Sequence, residues 1–425
     1  MKDPAGTVEE VWRQESSRLL GALVRITRDV GRAEDLAQEA LAQALAQWPQ
    51  TGVPDNPAAW LMTTAKRRAI DQFRAGERQV RAYAEVAAGV VEGYEEKFTV
   101  DRLEDDVLRL MFICCHPSLT TDTRTVLTLR MVAGLTTREI ARAYLTSEAT
   151  VATRISRAKR TLATARAALE EPGGAERAAR LGSVMSAIYL LFNEGYAATA
   201  GVDWTRPALC REAVRVAALL ASLVPREPEA HGLLALVELQ SSRLAARQDG
   251  SGEAVLLADQ DRSAWDRTAI ERGIAALDAA LALNGDGAYF LQAAIAAEHA
   301  RAASVESTNW PAIAALYERL ATVTGSAVVE LNRAVALAMA YGPEVGLHLL
   351  DQVAEIPTMA GYHLLPSVRG DLLKRLGRHD EATEEFRRAA ALATNDRERA
   401  LLTRRAQAPH AQLAPIPNPG HRTQR

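Results

Sequence analysis

Alanine and leucine recur at three- and four-residue spacing along almost the whole chain, and alternating runs of β-branched residues are nearly absent. That period belongs to helices packed on one face, so the pattern predicts an all-α fold. From Val8 to Arg78 it reads as several amphipathic helices, broken at Asp29 to Gly31 and at a loop from Pro49 to Pro57 that carries Gly52 and three prolines. Between those breaks, Ala33 to Trp48 puts Leu36, Ala40, Leu41, Ala44, Leu45 and Trp48 on one side, and Asp35, Gln38, Glu39 and Gln43 on the other. The next helix, from Pro57 to Arg74, combines Trp60 near its start with Lys66, Arg67, Arg68 and Arg74.

Further along, Leu135 to Leu162 reads as two short helices joined by a tight turn near Leu145 and Thr146. Thr136 followed by Glu139 is a capping box, in which each side chain satisfies a backbone N–H that the first helical turn leaves free. Ser147 is the expected second N-cap, with Glu148 well placed against the helix dipole. In the second helix Val151, Ile155, Ala158 and Leu162 form a buried stripe, leaving Thr150, Thr153, Arg154, Arg157 and Arg160 on the opposite side, with Arg138 on the first helix. This is the layout of a helix-turn-helix whose second helix enters a major groove.

In the second half, Ala382, Phe386 and Ala389 in the stretch Tyr362 to Leu392 match the second helix of a tetratricopeptide unit. Weaker copies follow backwards at Gly346 and Leu350, Ala312 and Leu316, and Gly273 and Leu277. A short α-solenoid of helix pairs is expected from Arg177 to Ala406, interrupted by a Gly- and Asp-rich insertion from Arg247 to Asp266. Trp265 in that insertion is a candidate contact residue, although packing in the fold is the favoured expectation. Pro409 to Arg425, with four prolines, reads as a disordered tail.

A length of 425 residues allows two or three domains. The net charge of −3 argues against a protein that coats nucleic acid, but the total conceals an uneven distribution. Arg81 to Asp106 carries −5 and Thr120 to Glu170 carries +5, so a compact basic module follows an acidic connector. That connector reads either as a solvated linker or as a mimic of nucleic-acid charge. Glu171 to Gly174 is a breaker cluster at the boundary to the C-terminal half. Three cysteines exclude a disulfide scaffold. No stretch has the roughly 18 apolar residues of a membrane helix, and Met1 to Glu10 has no secretory core, so a cytoplasmic protein with no membrane partner is expected. Cys114, Cys115 and His116 lack zinc-ligand spacing and read as buried packing. No phosphate loop, zinc-protease motif or nucleophile elbow appears; neither an enzyme nor a cofactor is expected.

In order, these motifs resemble the extracytoplasmic-function class of bacterial RNA polymerase sigma factors. Asp35-Leu-Ala-Gln-Glu39 is similar to the class's region-two helix, which docks on the clamp of the largest polymerase subunit, and the resemblance implies core binding through Asp35, Gln38, Glu39 and Gln43. Ala59-Trp-Leu followed by Ala69-Ile-Asp71 resembles the minus-ten helix, implying contacts from Asn56, Trp60, Lys66, Arg67, Arg68 and Arg74. The loop from Pro49 to Asn56 would receive one flipped base. Thr136 to Leu162 resembles the region-four module that reads the minus-thirty-five element, implying contacts from Arg138, Thr150, Thr153, Arg154, Arg157 and Arg160, with the flap of the second-largest polymerase subunit as a further partner. Leu110-Met-Phe-Ile-Cys-Cys-His-Pro117, Tyr189-Leu-Leu-Phe-Asn-Glu-Gly-Tyr196 and Asp259-Gln-Asp-Arg-Ser-Ala-Trp-Asp266 resemble the subgroup with a tetratricopeptide-like C-terminal extension, which implies regulation through that extension. Arg67 stands where the class often has Asn, and Ala152 where many members are basic.

The expected organisation is region two at 8–78, an acidic linker at 79–106, region four at 107–170, a regulatory helical domain at 177–406 that takes a protein or peptide ligand, and a tail at 407–425. The competing expectations are a polymerase-independent helix-turn-helix regulator carrying a sensor domain, and a scaffold whose helix-turn-helix is vestigial. The acidic face of the Asp35 helix favours the first reading, because a plain activator has no need of a clamp-binding surface.

Overall fold

The computed structural model describes residues 4–76, 100–144, 146–164, 174–196, 206–247, 255, 257–393 and 396–407. Among the described residues there are eighteen α-helices, a few 3₁₀ turns and no strand, so the protein is all-α as its periodicity requires. Two compact units divide the chain, residues 1–293 and 294–425, with the division inside one helix.

The first unit opens with α1 (Pro4–Thr27), α2 (Val30–Thr51) and α3 (Pro57–Gly76), which pack on one another. Asp29 caps α2 by accepting the Arg32 N–H at 2.8 Å. The helix then runs through Pro49 to Thr51, beyond the expected break. Proline removes only one hydrogen bond so close to the C-terminal end, and Gly52, at φ +84°, makes the actual stop by donating its N–H to the Trp48 carbonyl at 3.0 Å. The loop therefore shrinks to Gly52–Asn56. The buried side of α2 also differs from the expected stripe: Ala33, Glu34 and Ala37 are buried, whereas Leu45 is 49% exposed. With 3.6 residues per turn, Glu34, Ala37, Leu41, Ala44 and Trp48 form one continuous line, and Leu45 falls off its edge.

Next come α4 (Val100–Cys114), α5 (Thr121–Met131), α6 (Thr137–Ala143) and α7 (Glu148–Thr164). Helix α4 lies along α1, where Arg25 bonds the buried Asp106 carboxylate at 2.9 Å and Arg109 adds a second bond at 3.3 Å. Helix α4 thus begins at Val100, inside the expected acidic connector, and the connector's last acid, Asp106, is a buried structural partner. The connector's remainder, 79–99, lies outside the described residues, as does the tail from 408.

Helix α8 (Gly174–Tyr196) packs on α4, α5 and α9 (Pro207–Leu223), and is followed by α10 (Pro228–Ser241) and α11 (Arg267–Ala282). One apolar core runs continuously from Val8 through Leu36, Met111, Leu127 and Phe192 to Val237. Trp265, 3% exposed, packs as expected, with the Arg262 guanidinium 5.3 Å from its ring centre. Asp266 caps α11 through the Ala269 N–H at 3.1 Å. Helix α12 (Ala288–Arg301) contains the division between the units.

In the second unit α13 (Trp310–Thr324), α14 (Ala327–Tyr341), α15 (Pro343–Ala354), α16 (Leu364–Arg375), α17 (His379–Leu392) and α18 (Asp396–Gln407) pack each on the next. Short connections between such neighbours make antiparallel pairs. Leu331, Leu350, Leu373, Phe386 and Ala389 share its core. The repeat positions Ala382, Phe386, Gly346 and Leu350 are buried, but on α13 Ala312 and Leu316 are only half-buried, and the buried residues are Ile313, Ala314, Leu320 and Ala321.

Candidate nucleic-acid interface

The helix-turn-helix is assembled by local chemistry. Thr136 accepts the Glu139 N–H at 3.1 Å while the Glu139 carboxylate accepts the Thr136 N–H at 2.8 Å, which completes the capping box of α6. Ser147 caps α7 by accepting the Thr150 N–H at 3.1 Å. Val151, Ile155, Ala158 and Leu162 are the buried residues of α7. With those four turned inward, Thr150, Thr153, Arg157 and Arg160 are exposed, Arg154 is half-buried, and Arg138 is exposed on α6. The result is a helix face of hydroxyls and guanidinium groups, which can donate to base edges and phosphate oxygens. The Thr150 hydroxyl also hydrogen-bonds with Ser147, so one of these groups serves the cap first.

A second polar surface lies between α2 and α3. Glu39, Gln43, Thr64, Arg67, Arg68 and Asp71 line an open groove of about 450 Å³. Across it Arg68 donates to the Glu39 carboxylate at 2.7 Å and to the Gln43 side-chain carbonyl at 3.0 Å. Two residues expected to meet the polymerase therefore hold one expected to meet DNA. Arg67 is exposed beside them, and Asp35 and Gln38 are exposed on α2 one turn before. At the start of α3 Asn56 is the N-cap, its side-chain oxygen accepting the Ala59 N–H at 3.0 Å. Trp60 is half-buried and meets the buried Trp48 edge-on, with ring centres 5.5 Å apart.

The structure does not bring every expected minus-ten residue to one surface. Lys66 is half-buried near Arg25 and Asp106; burial and then the Arg25 charge lower its ammonium pKa to about 8, against a smaller opposing effect of Asp106. Arg74 belongs to α3, and its side chain lies outside the described residues.

Sequence reasoning missed the ionic centre that joins these surfaces. Glu34 is 6% exposed, and its carboxylate receives Arg130 Nε from α5 at 2.6 Å and Lys159 Nζ from α7. Burial alone would push its carboxyl up, but the two cations and their hydrogen bonds outweigh that and hold it below the ordinary carboxylate range. The available signal was an acid in an apolar line, since Glu34 stands three residues before Ala37 and seven before Leu41.

Cys114 and Cys115 are fully buried, which raises both thiols, Cys115 to about 11. A thiol so raised is a poor nucleophile. Among the described residues no three His, Cys, Asp or Glu side chains come together as a metal site, and no helix is long and apolar enough to cross a membrane.

Comparison with known proteins maps onto this arrangement. Residues 11–79 match the model for sigma-70 region 2, residues 109–162 that for sigma-70 region 4, and residues 180–281 a family of unknown function, DUF6596. The chain is 44% identical over 388 residues to the uncharacterized protein R00370 of Rhizobium meliloti (strain 1021), covering 90% of this chain and 91% of that protein. It is 29% identical over 147 residues to the ECF RNA polymerase sigma factor SigK of Mycobacterium sp. (strain KMS), covering 33% of this chain and 72% of the relative. Over 170 residues it is 29% identical to the ECF RNA polymerase sigma factor SigL of Mycobacterium tuberculosis (strain ATCC 25618 / H37Rv), covering 40% of this chain and 92% of the relative.

Proposed function

Because the chain belongs to the sigma-70 family, with region-two and region-four domains and extracytoplasmic-function relatives, we propose that it recruits core RNA polymerase to a two-part promoter and starts transcription there. In this reading it is a non-catalytic initiation factor. Asp35, Gln38, Glu39 and Gln43 offer carboxylates and amide oxygens to a basic polymerase surface, the clamp of the largest subunit, where complementary charge sets orientation and on-rate. Arg138, Thr150, Thr153, Arg154, Arg157 and Arg160 face minus-thirty-five duplex, while the flap of the second-largest subunit holds the same module. Asn56, Trp60, Arg67, Arg68 and Arg74 serve the minus-ten strand, with cations on the backbone and a ring available to an unpaired base. Lys66 joins them once its buried surroundings open.

The observation that carries this reading is the groove between α2 and α3. There the acidic and amide edge of one helix and the basic edge of the next share a surface, and the same unit holds an exposed basic helix-turn-helix. The helices beyond Gly174 act on the two modules as a tetratricopeptide-like regulator that takes a protein or peptide ligand. Because polymerase and promoter are cytoplasmic, so is the chain at work.

Run-off transcription with purified core polymerase and the full chain tests the proposal. Promoter-specific transcripts that need the added chain are expected; their absence across a promoter library from the source genome refutes it.

A further inference from the structure

Arg67 and Arg68 stand side by side on α3, yet their surroundings differ. Arg67 is exposed, and no described residue bonds its guanidinium. Arg68 is half-buried and reaches back across the groove to α2, to residues 25 and 29 positions earlier in the chain. Its Nη1 donates to Glu39 Oε2 at 2.7 Å, while its Nη2 and Nε donate to the single Gln43 Oε1 at 3.0 and 3.4 Å. Every guanidinium nitrogen is thereby engaged, and the plane of the fork is set by fixed points on a neighbouring helix. Each terminal nitrogen carries a second N–H, for which no described residue supplies an acceptor, so the fork can still donate to a ligand.

These bonds are not what holds α2 to α3. The side chains of Arg68 and Glu39 are 39% and 42% exposed, and an ion pair so open to water adds little to stability. Trp48, Leu61, Ala65 and Ala69 are buried in the core that the two helices share, and Trp48 meets Trp60 edge-on. Gln43 offers an oxygen without a charge, so its bonds orient the guanidinium and leave the positive charge in place. Orientation is the property a nucleic-acid contact uses. A loose arginine gives up rotamer freedom when it grips a phosphate, whereas an arginine already ordered has lost that freedom during folding. The groove is open, with Thr64 and Asp71 lining it one turn to either side of Arg68, so the fork is reached from solvent.

We propose that Gln43 is a positioning residue for the minus-ten contact: together with Glu39 it holds the Arg68 guanidinium in the orientation in which its remaining N–H groups meet a backbone phosphate of the promoter strand. The role rests on the sigma-factor reading for the identity of the strand, and it is additional to the polymerase contact made by the same helix. Glu39 anchors one end of the fork by charge, and Gln43 fixes its rotation by accepting from two nitrogens at once. A phosphodiester oxygen adds an acceptor to the fork, and no bond to α2 has to break for it.

Binding of the full chain, assembled with saturating core polymerase, to a fork of promoter DNA tests this, with the promoter taken from those that run-off transcription selects. Arg68→Met is expected to weaken fork binding about tenfold and to flatten the slope of log affinity against log salt by about one, the mark of a lost phosphate contact. Gln43→Met keeps the length of the side chain and removes its oxygen. It should weaken binding about fivefold, the cost of ordering one long side chain, and leave the salt slope at the parent value because the cation remains. Added to Arg68→Met, Gln43→Met should cost less than about twofold more, since no guanidinium is left to orient. A Gln43 that served only the fold or only polymerase would bring its full loss in both backgrounds. That additive outcome overturns the proposal, as does parent-like binding by Gln43→Met or an unmoved salt slope in Arg68→Met. Should Gln43→Met fail to fold, Gln43→Ala carries the same comparison. A promoter library that yields no transcript removes the sigma reading and this inference with it, whereas transcripts accompanied by additive losses remove only the positioning role.

Discussion

Ending the chain after Glu170, at the breaker cluster that marks a domain boundary by composition, should damage the helix-turn-helix module that the cut is meant to isolate. Helix α8 buries Leu181, Val184, Met185, Ile188, Leu191 and Phe192 in the same core as Met111, Leu127 and Leu129. It packs on α4 and α5 on one side and on α9 on the other. If about half of those six side chains serve the first contact, at about 1.5–3 kcal/mol for each large apolar group, the cut costs about 4–9 kcal/mol. Typical domains have about 5–15 kcal/mol in total, so the fragment is left marginal. Cys114 and Cys115 report this directly, because both are buried, with their sulfur atoms against Leu127 and Thr128 of α5, the helix that packs on α8, and they react only when the module opens. At about 1.4 kcal/mol per decade, the smaller cost already predicts thiol labelling about a thousandfold faster in the fragment than in the full chain. A fragment whose two thiols label within about tenfold of the full-chain rate would refute the view that the extension completes the core of region four.

Three further outcomes are expected. Phe386→Ala empties a 2%-exposed site in the second unit and should lower that unit's stability by about 3–5 kcal/mol, read by calorimetry with Trp310 fluorescence as its local reporter. Arg157→Ala should weaken binding to the cognate minus-thirty-five duplex by about 1–3 kcal/mol if the guanidinium reads a base; an unchanged footprint removes it from the interface. Lys66, lowered to about 8 from an ordinary 10.5, binds its proton more weakly in the folded chain than in the unfolded one. Stability should therefore rise as pH climbs from about 8 to 10.5, and Lys66→Met should abolish that rise in urea titrations across the window.

The parts of the interface that were legible in the sequence are those set by neighbours along the chain. Thr136 with Glu139, Ser147 with Thr150, and the stripe from Val151 to Leu162 each depend on contacts within one or two helical turns, and the structure contains all of them. The stripe of α2 was legible only in part. A helix of 22 residues carries its buried line around the axis, and Leu45 looked buried by residue type while Glu34 looked exposed. Pro49 was read as a stop because its position relative to the helix end is not a local property. The inward turn of Lys66, the sharing of Arg68 and the ion pairs of Glu34 were not legible at all. Each joins residues 25 or more positions apart, as in Arg68 with Gln43 and Arg130 with Glu34, which are 96 apart, and no spacing rule reaches that far.

These long-range contacts fall into two chemical kinds, and the difference bears on how the protein works. Region four meets the extension through an apolar surface, α4 and α5 against α8, whose exposure nothing in a promoter complex would offset. Its ties to region two combine the Glu34 ion pairs and the Trp12 N–H with the apolar packing of α4 along α1, and only the polar partners can be replaced by DNA phosphate or water. Leu191→Ala, which empties a 1%-exposed site in the shared core, should therefore lower stability by about 2–5 kcal/mol, whereas Glu34→Gln removes a replaceable polar partner and should leave the apolar core intact.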